Sequence, residues 1–291
     1  MPYLWFAFVS LVWGGSFILM KRGTAWLSPV EIAAWRVIGG ALLLALVWWR
    51  LRKSHVLKRQ DLPAVLLVVA CGFVWPFTIQ PYLISRVGSG FIGMMVSFTP
   101  LLTIASSVVL LKIYPERRQF WGVLGALACM GILIFDGLHR QIAPLHLALA
   151  FTVPLCYALA NTVIRKSLSH VPALELSLVC LILAGAVLLT VAVATPFARP
   201  AVSSEVAVQA VAAVAFLGVV GTGLATYLFN RLIQEQGPLF AGMATNVSPI
   251  GAVVFAWLDA EHVSLTQLGA LAGVILMVVV VQFGAVRRHS R

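Results

Sequence analysis

Two prolines lie inside long apolar runs of the sequence, and each has small polar side chains beside it. They are Pro100 and Pro249, and the run around the first, Val87–Leu111, contains no charged residue. Proline removes a backbone N–H donor from a helix and leaves one carbonyl without its partner. The neighbouring hydroxyls and amide are on Ser97, Thr99, Thr103, Asn246 and Ser248. We predict that both prolines are hinges whose polar neighbours face a cavity, the alternative being a static kink.

Aromatic and amide side chains in the same apolar runs suggest what such a cavity binds. Aromatic rings favour flat apolar groups and ammonium groups, whereas amides and hydroxyls can satisfy a carboxylate. Together they suit a zwitterion with a hydrophobic side chain, although Trp and Tyr also form interfacial belts. The predicted pathway residues are Trp13, Ser16, Trp75, Gln80, Tyr82, Met94, Ser97, Phe98, Tyr157, Asn161, Tyr227, Asn230, Met243, Asn246 and Ser248.

No acidic residue falls in the middle of an apolar run. The nine acids, all near the ends of the runs or between them, are Glu31, Asp61, Glu116, Asp136, Glu175, Glu205, Glu235, Asp259 and Glu261. Coupling to protons or sodium usually requires an acid at mid-depth. The pattern therefore predicts no obligatory coupling ion. Arg36 is the charged residue that lies well inside a run, seven residues into the second, and we expect it to pair with Glu31, the alternative being a carboxylate substrate.

Motifs for catalysis or cofactor binding are absent from the sequence. It contains no His-Glu-x-x-His, no Gly-x-Ser-x-Gly and no Walker sequence, and its four cysteines form no Cys-x-x-Cys pair. We therefore expect neither an enzyme nor a bound cofactor or metal.

The composition places these residues in a membrane. The chain has 291 residues, of which 61% are hydrophobic and 10% charged, against about 25% charged in a soluble domain. Runs of about 20 apolar residues are long enough to span a bilayer as helices. Ten are predicted: Tyr3–Met20, Pro29–Trp49, Pro63–Leu83, Ser89–Leu111, Gln119–Asp136, Pro144–Ile164, Pro172–Thr195, Ala207–Leu232, Pro238–Trp257 and Leu265–Val286. The first lacks a basic n-region, so we interpret it as a span and not as a signal peptide.

The charge distribution predicts the orientation of the spans. The net charge is +11, and 14 of the 20 lysines and arginines fall on one side of a ten-span arrangement. The positive-inside rule then places both termini in the cytoplasm, and it accounts for the basic balance without nucleic acid. We expect a multi-pass protein of the bacterial inner membrane that contacts lipid and a small-molecule substrate and acts as a monomer.

The two halves of the chain resemble each other. With an offset of 149 residues, Pro100 aligns with Pro249, and the matching pairs nearby are Gly88 with Gly237, Phe91 with Phe240, Gly93 with Gly242 and Met94 with Met243. Five spans per copy is an odd number, so the second copy is inverted in the membrane. We predict two inverted five-helix repeats, residues 1–140 and 141–291, an architecture that recurs in transporters with a substrate site at the repeat interface.

Several motifs together resemble the drug/metabolite transporter superfamily. They are Trp-Gly-Gly-Ser-Phe at 13–17, Pro-x-Glu at 29–31 before the Arg-bearing second span, and the proline-centred spans 4 and 9. The ten-helix EamA-type exporters are the most similar branch, and the resemblance implies export of neutral, often aromatic, amino acids by alternating access. The chain departs from the repeat at Lys112, which stands where the second copy has Glu261. A proton-coupled multidrug or metabolite efflux carrier and a passive channel are the alternatives.

Overall fold

The described part of the chain is entirely helical. The computed structural model describes residues 2–51, 56–112 and 117–283, and the side chains at 111, 118–119, 123, 233–243, 245–246, 278 and 280–283 lie outside this description. Within those ranges there are α-, 3₁₀- and π-helices and no strand. Eight helices are long and apolar enough to span a membrane, and two shorter apolar helices, Val247–Leu258 and Leu265–Met277, accompany them. The fold class predicted from the sequence is confirmed.

The helices follow the predicted spans closely. Spans 1 and 2 are Pro2–Gly23 and Pro29–Leu51, span 3 is Arg59–Val87, span 4 is Ser89–Val96 followed by Thr99–Leu111, and span 5 is Arg117–His139. Spans 6 and 7 are Pro144–Ser167 and Ala173–Ala194, and span 8 is Ser204–Leu232. Span 9 ends at Leu258 and span 10 is Leu265–Phe283, so the predicted end of span 10 at Val286 lies outside the described residues.

The chain reverses direction between spans 8 and 9, although residues Ala225–Leu258 are helical throughout. Val9 of span 1 belongs to one small cluster of buried side chains with Ala225 and Ala244. On a straight helix those two alanines would lie about 28 Å apart, at about 1.5 Å per residue. A cluster of three small buried side chains cannot extend over that distance. The two spans therefore run antiparallel, as the sequence predicts.

Spans 3 and 8 each contain a π-helical segment that the sequence analysis does not predict. The segments are Val69–Val74 and Leu217–Leu224. They stand about one repeat offset apart, so they occupy equivalent places in the two halves. The first packs on spans 6 and 7, and the second packs on spans 1 and 2. A π-helix inside an α-helical span often marks a functional site, because its extra residue per turn frees backbone groups.

Spans from the two halves pack in pairs that the repeat relates. Span 2 packs on span 7, span 4 on span 9 and span 5 on span 10. Span ends meet on two opposite faces. We call them the Glu261 face, with the contacts Lys21–Asp259, Glu31–Arg199 and Arg140–His262, and the N-terminal face, with the contacts Trp5–Arg231 and Asp61–His170. The ends of the spans thus alternate between the Glu261 face and the N-terminal face, which is the arrangement of two inverted five-helix repeats.

Glycines allow the closest crossings between the halves. A Cβ on Gly14 of span 1 would lie 3.0 Å from the Gly251 Cα and 3.0 Å from the Ser248 carbonyl oxygen of span 9. A Cβ on Gly40 of span 2 would likewise lie 3.0 Å from the backbone nitrogen of Gly223 in span 8. Small residues at such crossings bring helix backbones together in lipid, where the hydrophobic effect gives no driving force between helices.

Candidate substrate pathway

Arg36 is buried between spans 1, 2, 3 and 8. It begins the third turn of span 2, and only 5% of its surface is exposed. Its Nε donates to Thr222 Oγ1 at 3.1 Å, and its Nη1 donates to the Met20 sulfur at 3.3 Å. The guanidinium carbon lies 3.7 Å from the centre of the Phe77 ring. Thr222 comes from the π segment of span 8, so that segment supplies one of the arginine's few partners.

The prediction that Arg36 pairs with Glu31 is wrong. Glu31 instead caps its own helix by accepting from the Ser28 backbone at 2.8 Å, and it binds Arg199 across the Glu261 face at 2.8 Å. Among the described side chains, no carboxylate lies within ion-pair distance of Arg36. A buried charge without a counter-ion is costly in a membrane protein and by default indicates function.

Neutral polar groups lie one helical turn from this arginine. Gln80 follows Phe77 by three residues on span 3, is only 3% exposed, and donates from Nε2 to the Tyr157 hydroxyl at 2.9 Å. Tyr157 is also an electrostatic neighbour of Arg36. Trp13 of span 1 donates from its indole nitrogen to the Gly221 carbonyl, in the second π segment, at 3.0 Å. The structure thus places two predicted pathway residues, Gln80 and Tyr157, near Arg36, and a third, Trp13, against the π segment that carries Thr222.

Several predicted pathway residues are packed in the core. Met94 and Phe98 are almost completely buried in the cluster of spans 1–6 and 8–10. The hydroxyls of Ser16, Ser97 and Ser248 donate to backbone carbonyls of their own helices. In this conformation these side chains contribute packing and helix satisfaction.

Other predicted residues lie away from Arg36. Tyr82 stacks edge-on against His146 and under the Arg86 guanidinium, 3.7 Å away, near the Glu261 face. Trp75 is 41% exposed and donates to Thr152, while Asn161 is exposed.

Two predicted residues of span 8 lie elsewhere, and two of span 9 lie outside the described side chains. Asn230 donates to Ser177 of span 7 at 2.5 Å, and Tyr227 packs in the cluster formed around spans 2, 3 and 7. Met243 and Asn246 are the residues of span 9 whose side chains are not described.

The two predicted hinges differ. Span 4 is interrupted at residues 97–98, and its second helix starts at Thr99 with Pro100 in its first turn. Span 9 is helical through Pro249, which is buried. The break that the sequence predicts is present in the first copy, while bending of either copy stays a prediction.

An ionic cluster joins the two halves on the Glu261 face. Glu261 accepts from Lys21 Nζ, Ser89 Oγ and the Ser89 amide at 2.8, 2.8 and 3.1 Å, and from the Gly90 amide at 3.1 Å. Asp259 binds Lys21 at 2.5 Å and also Arg22. We call this group of Lys21, Arg22, Ser89, Gly90, Asp259 and Glu261 the clasp. It ties span 1 and the start of span 4 to the loop between spans 9 and 10.

The clasp depends on a close backbone approach and on charge. Gly88 has φ = 91°, and a Cβ there would lie 2.9 Å from Glu261 Oε2, so both its conformation and its lack of a side chain are required. Burial raises the pKa of the Glu261 carboxyl, but the hydrogen bonds from Lys21, Gly90 and Ser89 outweigh it. The pKa therefore lies below its ordinary value of 4.5, and the carboxylate is charged at neutral pH.

A polar cavity of about 240 Å³ opens beside the clasp. Its walls include Arg86, Arg140, Glu261, His262 and Gln267. Arg86 and Arg140 come from the ends of spans 3 and 5, so the cavity lies where span ends of the first repeat meet the loop before span 10. No pattern in the sequence indicates this cavity.

Comparisons with known proteins agree with this architecture. The model of the EamA-like transporter family matches residues 1–135 and again residues 145–283. The uncharacterized transporter YoaV of Bacillus subtilis is 26% identical over 271 residues, which cover 90% of each chain. Its uncharacterized transporter YyaM is 22% identical, covering 92% of this chain and 88% of that protein, and protein PagO of Salmonella typhimurium is 22% identical, covering 94% and 91%.

A solved crystal structure shares the fold. It superposes with a TM-score of 0.68 over 99% of each chain, at 16% sequence identity. With the family model matching both halves and transporters among the relatives, the function is transport across a membrane and not enzymatic catalysis. The chain belongs to the EamA-like transporter family.

Proposed function

We propose that the protein is an alternating-access carrier that exports neutral, aromatic or hydrophobic amino acids and related small metabolites. The observation that carries the proposal is the buried group of Arg36, Phe77, Gln80 and Tyr157, which combines hydrogen-bond donors with an aromatic surface. A ligand there would lie between the two repeats, where transporters built from inverted repeats bind their substrates.

The run Gln80–Met95 supports this choice of substrate. It resembles the corresponding run of the amino-acid exporter YddG, and it contains Gln80 of the buried group and ends just before the helix break at residues 97–98. Neutral amino acids carry opposite charges that polar groups can meet separately.

The proposal includes transport without an obligatory coupling ion. Six acids, Glu31, Asp61, Glu175, Glu205, Asp259 and Glu261, accept hydrogen bonds near the ends of spans or in loops. None of these lies beside Arg36, so none is placed to exchange a proton with a bound substrate. Glu116 lies outside the described residues, and the Glu235 side chain is not described.

We also propose the orientation, location and assembly. The basic residues favour the N-terminal face as cytoplasmic, which makes the Glu261 face periplasmic in a bacterial inner membrane. Both termini are then cytoplasmic, and the substrate group lies within one chain, so a monomer suffices. The repeat boundary, 1–140 and 141–291, falls in the short connection between spans 5 and 6. A reporter that is active only in the periplasm, fused to the C-terminus, should be inactive, and activity there would reverse the orientation.

Counterflow in proteoliposomes tests the function. Vesicles containing the protein are loaded with unlabelled phenylalanine and diluted into labelled phenylalanine, leucine or glycine. A carrier gives a transient, saturable overshoot, whereas a channel gives none. We expect an overshoot with phenylalanine and leucine that persists when the pH gradient is collapsed. Absence of any overshoot with neutral amino acids would reject this substrate class.

A proton-coupled efflux carrier is the second candidate, and Asp136 is the observation that favours it. Its Oδ1 accepts from Ser264 at 2.9 Å, while its buried Oδ2 has no hydrogen-bond partner. It is the described acid with a buried oxygen left for a proton. If Asp136→Asn abolishes gradient-driven flux but preserves counterflow, the protein is coupled to protons through this residue.

A further inference from the structure

The group around Arg36 has more hydrogen-bond donors than acceptors. The guanidinium has five N–H donors, and its described bonds, to Thr222 and Met20, leave Nη2 without a protein partner. The Tyr157 hydroxyl accepts from Gln80, which leaves its own hydrogen to donate. Unused donors therefore remain on two described side chains, Arg36 and Tyr157, which are electrostatic neighbours.

This group also carries a positive charge, on Arg36, with no described negative charge beside it. Arg36 is buried without snorkelling to either surface, and a lone buried charge costs several kcal/mol unless a partner arrives. Its present neighbours are an aromatic face, a thioether and a hydroxyl, which are weak substitutes for an anion. Arginine's planar fork matches a carboxylate with two parallel hydrogen bonds.

From these contacts we infer that Arg36 binds the carboxylate of the substrate, that Tyr157 donates to the same carboxylate, and that the substrate's amino group is dispensable. This inference rests on the proposed function and defines its substrate by the carboxylate. The substrate class becomes hydrophobic or aromatic monocarboxylates, with or without an α-amino group. No described acid lies at Arg36 to recognise an ammonium, so the amino group contributes little to binding.

Binding of a carboxylate also removes the unpaired charge of Arg36 while the carrier changes conformation. A monocarboxylate neutralises Arg36, so the repeats can close around a neutral pair and not around a lone charge in the low-dielectric interior. Phe77 covers one face of the guanidinium and leaves the edge of the fork for the ligand. The aromatic body of the ligand can then pack against the same apolar surroundings that hold Met20 and Phe77.

Three related compounds test the inference on the wild-type protein. Labelled phenylalanine counterflow is competed with 3-phenylpropionate, which lacks the amino group, and with phenethylamine, which lacks the carboxylate. We expect 3-phenylpropionate to compete at concentrations similar to phenylalanine. Phenethylamine should require a concentration higher by about 30-fold or more, the usual effect of losing one partner of a buried charge pair. Equal competition by the two analogues would overturn the inference.

Variants of Arg36 supply a second measurement. Arg36→Gln and Arg36→Lys are compared with Arg165→Gln, which removes the same charge from an exposed position at the end of span 6. In Arg36→Gln the difference between the two analogues should disappear, Arg36→Lys should retain part of it, and Arg165→Gln should retain all of it. Retention of the full difference in Arg36→Gln would place the carboxylate elsewhere.

The two proposals fail separately. If phenylalanine is not transported, stabilisation of the purified wild-type protein against heat by each analogue still tests carboxylate recognition. Stabilisation by 3-phenylpropionate and not by phenethylamine would support the inference and reject amino-acid export. If phenylalanine is transported and phenethylamine competes as well as 3-phenylpropionate, the export function stands and the role of Arg36 is wrong.

Discussion

Replacing Glu261 with glutamine should open the clasp. The carboxylate accepts four hydrogen bonds, and its side chain is only 14% exposed. Glutamine keeps one acceptor oxygen but loses the charge, and its NH₂ group faces the Gly90 amide, which is also a donor. Hydrogen bonds to charged groups contribute about 1.5–3 kcal/mol each. Losing one outright and weakening the others, with partial replacement by water, gives a loss of about 2–3 kcal/mol.

Amide hydrogen exchange measures this loss directly. The Ser89 and Gly90 N–H groups donate to Glu261, so they exchange when the clasp opens. Exchange then follows the open population, and about 2–3 kcal/mol corresponds to exchange faster by about 30- to 150-fold. Glu205→Gln is the control, since Glu205 is exposed and its hydrogen bond among the described residues is with Gln209, one turn away. Unchanged exchange at Ser89 and Gly90 in Glu261→Gln would refute the assigned role of the clasp.

The pH dependence of the same exchange follows from the lowered pKa of Glu261. A carboxyl whose pKa is lowered by folding contributes stability above its ordinary pKa, 4.5, and loses it as the pH falls through the lowered value. Corrected for the intrinsic rate, exchange at Ser89 and Gly90 should therefore be constant between pH 8 and pH 6. Clasp opening near pH 6 would show that another group controls it.

Three further predictions concern flux, stability and selectivity. Pro100→Ala should lower counterflow more than Pro249→Ala, because only the first proline follows a helix break; equal effects would show that the break is not the hinge. Gly14→Ala should lower the unfolding temperature in detergent by the equivalent of about 1–3 kcal/mol, because its Cβ meets backbone atoms, whereas Gly131→Ala, with nothing within 4 Å, should not. Tyr82→Ala should reduce phenylalanine transport more than glycine transport, and equal losses would assign the ring to packing.

The spans and their inverted order could be predicted because both follow from simple patterns. Apolar runs separated by polar residues give the helices, and the match of Pro100 with Pro249 gives the duplication. The π segments could not be predicted. Residues 69–74 and 217–224 have the same apolar composition as an α-helical span, and only packing between the repeats shows the extra residue per turn.

The candidate site was predicted in part. Trp13, Gln80 and Tyr157 were expected to line a pathway because aromatic and amide groups are unusual deep in apolar runs. Arg36 was assigned to Glu31 because the two lie five residues apart on one helix. The sequence does not show that Arg199, from a distant loop, takes Glu31 as its partner. That long-range competition leaves Arg36 without a described acid beside it, and it can be recognised only in three dimensions.

The clasp has a consequence for the kinetics of export. Lys112 occupies the position of the first repeat that corresponds to Glu261, so the equivalent point on the other face carries the opposite charge. When the closures at the two faces differ in stability, the substrate-free carrier spends more time in the state in which the more stable closure is shut. Such unevenness makes the half-saturating concentrations differ between the two sides of the membrane. It cannot create accumulation, because without a coupled ion the ratio of maximal rate to half-saturating concentration is the same in both directions. The concentration of substrate inside the cell, and not the asymmetry of the protein, then sets the direction of net flow.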